Sequence, residues 1–138
     1  DHAGFVLKEA VKQHLIAQGI DVMDFGTFSE EQCDYPPFIE QACSAVLEHA
    51  CFGIVFGGSG NGEAMVANKV SGIRCARCVS LWDSEMARKH NDAQVMSLGG
   101  RITEAKLACE MVDAFLSTPF EGGRHLRRIA MFPDVSQS

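Results

Sequence analysis

The amino-acid sequence predicts a doubly wound α/β sandwich, a parallel sheet with helices on both faces, and three observations lead there. Segments with helically spaced apolar residues alternate with short apolar segments along the whole chain. One of those short segments, Phe52 to Phe56, is continuously apolar, as a strand buried on both faces must be. The run Gly57-Gly58-Ser59-Gly60-Asn61-Gly62-Glu63 follows it and opens into helix-forming residues, the kind of strand-to-helix turn at which such sheets bind ligands.

Each element has its own justification. Phe5 to Gln18 places Leu7, Val11 and Leu15 at helical spacing, with Gly19 as a stop. Val22 to Phe25 reads as a short strand and Thr27 to Asp34 as a polar loop. Pro36-Pro37 starts a helix, where a missing N–H costs nothing, and Phe38, Ala42, Ala45 and Val46 share one face. Beyond the central strand the pattern predicts a helix over Glu63 to Val70, a strand over Arg74 to Leu81, a helix over Ser84 to His90 and a strand over Val95 to Leu98. A long helix follows to Leu116 with Thr103 as its cap, and Arg124 to Ala130 forms the last. The 138 residues make a single domain over 1–138, with no linker, repeat or low-complexity segment.

Composition narrows the function classes. With 46% hydrophobic and 22% charged residues the chain is of ordinary globular type, and it has no apolar run near the ~20 residues of a membrane span. A formal net charge of −6 argues against nucleic acid as a partner. Cys33, Cys43, Cys51 and Cys109 are scattered singly, and Cys75 and Cys78, three apart in an expected strand, point to opposite faces. A shared zinc or a disulfide is not expected, and the histidines show no ligand spacing, so a reducing, cytoplasmic setting without a metal follows.

The glycine run carries the chemistry. Its backbone can approach a ligand closely, and its N–H groups, backed by a helix start, suit a phosphate, a carboxylate or a developing oxyanion. Glu63, in the first helical turn, is placed to act as a base. No Gly-Lys-Ser/Thr follows, so a triphosphate loop is excluded; a dinucleotide fingerprint needs a third glycine where Glu63 stands, although Asp83 lies at the distance of a ribose-binding acid. Asp1-His2, His90-Asn91 and Gly99-Gly100-Arg101 flank expected elements and are read as converging on the same crevice. Arg124 and Arg128, one helical turn apart beside His125, share a face and could grip one phosphate.

Together Asp1-His2-Ala3-Gly4, Asp34-Tyr35-Pro36, Gly57 to Glu63, Ala67-Asn68-Lys69-Val70, Gly72-Ile73-Arg74, His90-Asn91-Asp92-Ala93 and Glu121 to Arg128 resemble the type B ribose-5-phosphate isomerases and the galactose-6-phosphate isomerase subunits related to them. Two departures stand out. Family members begin with a strand ahead of the Asp-His pair, which the given sequence lacks, and many have a catalytic Cys where this chain has Gly57. The chain resembles the branch that has Gly there and Glu after the loop. The resemblance implies an aldose–ketose isomerase of the pentose phosphate pathway, acting on ribose 5-phosphate and ribulose 5-phosphate through an enediolate, without cofactor or metal. It implies Glu63 as the base, with the backbone of Gly58, Ser59, Gly60, Asn61 and Gly62 around the enediolate and the Ser59 hydroxyl passing a proton. His90 would open the sugar ring beside Asn91, Asp1 would hold sugar hydroxyls, and His2, Arg101, Arg124 and Arg128 would bind phosphate with help from His125. It further implies a homodimer with shared sites, or a dimer of dimers. A six-carbon phosphosugar (allose or galactose 6-phosphate) is the nearest alternative substrate; a dinucleotide-dependent oxidoreductase and a non-catalytic nucleotide-binding module are the alternatives of other classes.

Overall fold

The two most apolar short segments form the middle of the sheet. In the computed structural model, which describes residues 1–133, β1 (Gly53–Gly57) pairs in parallel with β3 (Val95–Gly99), in register from Gly53 opposite Val95 to Gly57 opposite Gly99. A three-residue strand, β2 (Cys75–Arg77), adds to the other edge of β3, giving the order β1-β3-β2. β3 is buried along its whole length because it has a strand on each side and helices on each face.

Helices cover both faces, as expected for a doubly wound sheet. On one face α1 (Phe5–Ala17), α4 (Leu81–Lys89) and α5 (Ala105–Ser117) bury Leu7, Val11, Ala87, Met111, Val112 and Phe115 against Met96 and Leu98. On the other, α2 (Pro36–His49) and α3 (Asn61–Ala67) bury Ile39, Cys43, Val46 and Ala67 against Val55 and Val95. Cys75 joins this second core and Cys78 the first, so the pair does face opposite ways. Both thiols are free, and burial pushes each up, Cys78 to about 11. Two side chains brace the loops: Asn68 exchanges hydrogen bonds with the Cys75 backbone at 2.8 and 2.9 Å, and Gln94 bridges Arg74 and Gly72. A short α6 (Arg124–Ile129) ends the described chain. No helix among the described residues is long and apolar enough to cross a membrane.

Four expectations about local structure need correction. Val22 to Phe25 is not a strand. A cavity of about 460 Å³ is lined by α1, α2, β1 and the 20–26 segment, and Val22 to Phe25 has no ladder partner among the described residues. The strand expected over Arg74 to Leu81 stops at Arg77, and the helix expected from Ser84 starts at Leu81. A reciprocal cap decides this: Asp83 N–H donates to Ser80 Oγ at 3.1 Å and Val79 N–H to Asp83 Oδ2 at 3.0 Å. That arrangement commits Asp83 to structure. Thr103 is buried and caps nothing; α5 begins after Glu104 without a side-chain cap.

Candidate active site

Glu63 is 4% exposed in the first turn of α3, under the glycine loop. A side chain at Gly57 would overlap the Glu63 carboxylate, so the carboxylate occupies the space that a residue larger than glycine would take at the carboxyl end of β1. Gly57 and Glu63 are therefore one feature: the missing side chain at one position admits the acid from the other. Gly60 turns the chain at φ +83°, and its carbonyl accepts a 2.7 Å hydrogen bond from the buried Ser97 hydroxyl of β3. Ser59, exposed at the tip, accepts from the Asn61 N–H at 3.1 Å, so that one N–H of the loop is spent within it. The N–H groups of Gly62 and Glu63 precede the first carbonyl that α3 can offer them.

Asp1 and His2 lie against this loop. Asp1 nitrogen donates to the Phe56 carbonyl, and its carboxylate Oδ1 caps the short 3-10 turn His2–Gly4 through the Ala3 and Gly4 N–H groups. His2 Nδ1 accepts the Cys33 N–H at 3.2 Å, which in a neutral ring leaves Nε2 carrying the proton as a donor. Arg101, after β3, brings its guanidinium to Gly58: a Cβ there would lie 3.3 Å from Nη1. Three neighbours were absent from the candidate set. The Tyr35 hydroxyl abuts Gly62, Arg77 Nε donates to the Ser59 carbonyl at 2.9 Å, and the Cys33 thiol lies 3.7 Å from His2 Nδ1. Tyr35 had a signal, since it belongs to the Asp34-Tyr35-Pro36 motif; Arg77 had none.

The remaining candidates lie elsewhere, which corrects the expected convergence on one crevice. All three strands run the same way, with Gly57, Arg77 and Gly99 at their carboxyl ends. α4 returns the chain to the amino ends, where Arg74 donates to the carbonyls of Asn91 and Asp92 at 2.9 and 2.8 Å. His90 and Asn91 thus sit at the opposite end of the sheet from Glu63. α5 returns there too: Glu121 N–H donates to the Lys89 carbonyl, and His125 of α6 stacks on His90 with ring centroids 4.3 Å apart. Arg124 and Arg128 are exposed at this same end. Burial, then the charges of Arg124 and of His90, hold His125 below its ordinary value. The structure also brings His90 and His125 together with Glu121, a proximity that their spacing in sequence does not show.

One chain therefore carries two separate clusters of candidate residues. One has an acid, a glycine loop, a histidine and an arginine; the other has a histidine pair, an asparagine and two arginines. The ribose/galactose isomerase family model matches residues 1–132. The chain is 38% identical to ribose-5-phosphate isomerase B of Escherichia coli over 99% of its own length and 93% of the relative's. It superposes on a ribose 5-phosphate isomerase from Thermotoga maritima with a TM-score of 0.92 and 48% identity, covering 94% of this chain and 90% of that one. A structure of ribose-5-phosphate isomerase B from Mycoplasma genitalium with bound ribulose-5-phosphate matches at 37% identity and a TM-score of 0.89, covering 94% and 87%. With the glycine loop, the Asp-His pair and the basic terminal helix all inside the matched span, the chain belongs to the ribose/galactose isomerase family, alongside the type B ribose-5-phosphate isomerases it resembles.

Proposed function

We propose that the chain interconverts D-ribose 5-phosphate and D-ribulose 5-phosphate, with Glu63 moving the proton between C1 and C2 through an enediolate. The observation that carries this reading is the Glu63 carboxylate seated in the side-chain space of Gly57, directly beneath a loop of backbone N–H groups. A base must reach a carbon-bound proton, and the enediolate oxygen needs donors where charge develops in the transition state. Glu63 supplies the first and the loop from Gly58 to Gly62 the second, with Ser59 to relay a hydroxyl proton, Asp1 to hold sugar hydroxyls, and His2 Nε2–H and Arg101 to bind the phosphate. The Escherichia coli relative and the Thermotoga maritima and Mycoplasma genitalium structures carry the name of this activity, and the last holds ribulose-5-phosphate.

The half-sites at opposite ends of the sheet favour a homodimer in which His90, Asn91, Arg124, His125 and Arg128 of one protomer complete the Glu63 half-site of its partner. His90 then opens the sugar ring, Asn91 holds the sugar, and Arg124 and Arg128 share the phosphate. Six free cysteines suit a reducing, cytoplasmic setting.

Glu63→Gln is the direct test. It is nearly isosteric and should keep the fold and ribose 5-phosphate binding while lowering kcat by about 10²–10⁴, the span for loss of a positioned general base. Solvent-deuterium exchange at the substrate C2 should fall in parallel. Turnover at the wild-type rate removes Glu63 as the base, and faster conversion of allose or galactose 6-phosphate by the wild type moves the substrate to six carbons.

A further inference from the structure

The amino end of the sheet holds a donor set that isomerisation does not use as a unit. His90 follows α4, Glu121 lies in the connection after α5, and His125 is in the first turn of α6. One ligand atom from each, two ring nitrogens and a carboxylate oxygen, all lie within 4.8 Å of one another. His125 is only 7% exposed, and its Nε2 has no hydrogen-bond partner among the described residues. A buried ring nitrogen left in that state costs free energy unless something engages it.

The spacing suits a metal ion. Glu121 Oε2 stands 3.4 Å from His125 Nε2, which is the edge of a tetrahedron with ligands about 2.1 Å from its centre. His90 is half-buried at the end of its helix, and its ring has to turn out of the 17° stack with His125 for its in-plane lone pair to meet the same ion. Two imidazoles and one carboxylate form a donor set used by open zinc sites, and they select against Mg²⁺ and Ca²⁺, which seek oxygen. Arg124 and Arg128, whose charges act on His125, oppose any cation and limit its affinity.

We propose that His90, Glu121 and His125 bind a borderline divalent transition metal such as Zn²⁺, and that the bound ion occupies the His90 lone pair and stops ring opening. The inhibitory half rests on the role given to His90 above; the binding half rests on geometry alone. The test titrates the whole protein calorimetrically with Zn²⁺ and follows Co²⁺ by its visible absorption, in the wild type and in Glu121→Gln. Glu121 is 48% exposed in its side chain, so the variant should fold and keep its basal turnover. The expected result is one ion per chain, binding weakened about tenfold or more in Glu121→Gln, and chelator-reversible inhibition by Zn²⁺ that the variant resists. No binding, or binding equally tight in the variant as capture by other thiols or histidines would give, overturns the site. Binding without inhibition upholds the site and instead removes ring opening from His90, so the two readings fail separately.

Discussion

Mixing two inactive chains should recreate an active enzyme. Glu63 sits at the carboxyl ends of the strands, and Arg128, on the same short helix as the His125 that stacks on His90, at their amino ends. Strands of five residues separate the two by about 15 Å, longer than a five-carbon phosphosugar, so one chain cannot close both half-sites on one substrate. Glu63→Gln should lose kcat. Arg128→Ala should raise KM by about ten- to a hundredfold, the equivalent of roughly 1.5–3 kcal/mol for a charge-assisted contact. In a mixed dimer one site combines both lesions, while the other joins an intact Glu63 end to an intact Arg128 end. A heterodimer isolated through two different tags should show about half the wild-type kcat/KM, and an unfractionated equal mixture about a quarter, because half of random dimers are mixed. Rates are read at substrate concentrations below the wild-type KM, where both parents are slow. If the purified heterodimer is no faster than the mean of its parents, each site is completed within a single chain and the shared-site reasoning fails.

Two further outcomes follow from individual contacts. Gly57→Ala places a Cβ where the Glu63 carboxylate lies, and a flexible side chain can yield, so the fold should survive while kcat falls about a hundredfold from misplacement of the base; wild-type turnover with an unchanged melting curve refutes the steric account. Asp24 accepts from Lys8 at 2.8 and 2.9 Å, from the Gly26 N–H and from Lys12, and although burial opposes them, these partners hold its carboxyl below the ordinary value of 3.8. A depressed carboxylate contributes stability that is complete above the unfolded value and lost as pH falls through the folded one, so denaturant unfolding should weaken below about pH 4 in the wild type. Asp24→Asn should flatten that acid limb and cost about 3 kcal/mol at neutral pH by leaving the buried Lys8 ammonium short of its counter-charge; an unchanged acid limb shows that other carboxylates govern it.

Much of the fold was legible because it is written locally. Phe52 to Phe56 and Val95 to Leu98 read as buried strands and are so apart from Phe52, which lies exposed just before β1, and Gly19, Pro36 and the apolar spacing of α1, α2 and α5 fixed three helices to within a few residues. The misplaced edges have local causes too. Val79-Ser80 looks like a continuing strand unless the Ser80–Asp83 cap is weighed, and Val22 to Phe25 has a strand's composition but no strand beside it among the described residues. Glu63 and the glycine loop were found as a candidate site because turn, acid and helix start are contiguous. What composition could not supply was the reason for Gly57, since the overlap of its missing side chain with Glu63 exists only in three dimensions.

The placement of His90 carries a different lesson. A position between a helix and a strand does not by itself bring His90 to the glycine loop, because in a doubly wound sheet the order of those elements already decides the end. A residue that follows a strand lies at the carboxyl end, where Gly57 to Glu63 and Gly99 to Arg101 do lie; a residue that precedes one lies at the amino end, and His90 to Asp92 precede β3. The same rule sends the connection after α5, and with it Arg124 to Arg128, to the amino end. Two sets of chemically apt residues at opposite ends of one sheet are either unrelated or joined through a second copy of the chain. The pairing of an acid and glycine loop at one end with a basic, histidine-bearing end at the other favours the second, and the mixed-chain experiment decides between them.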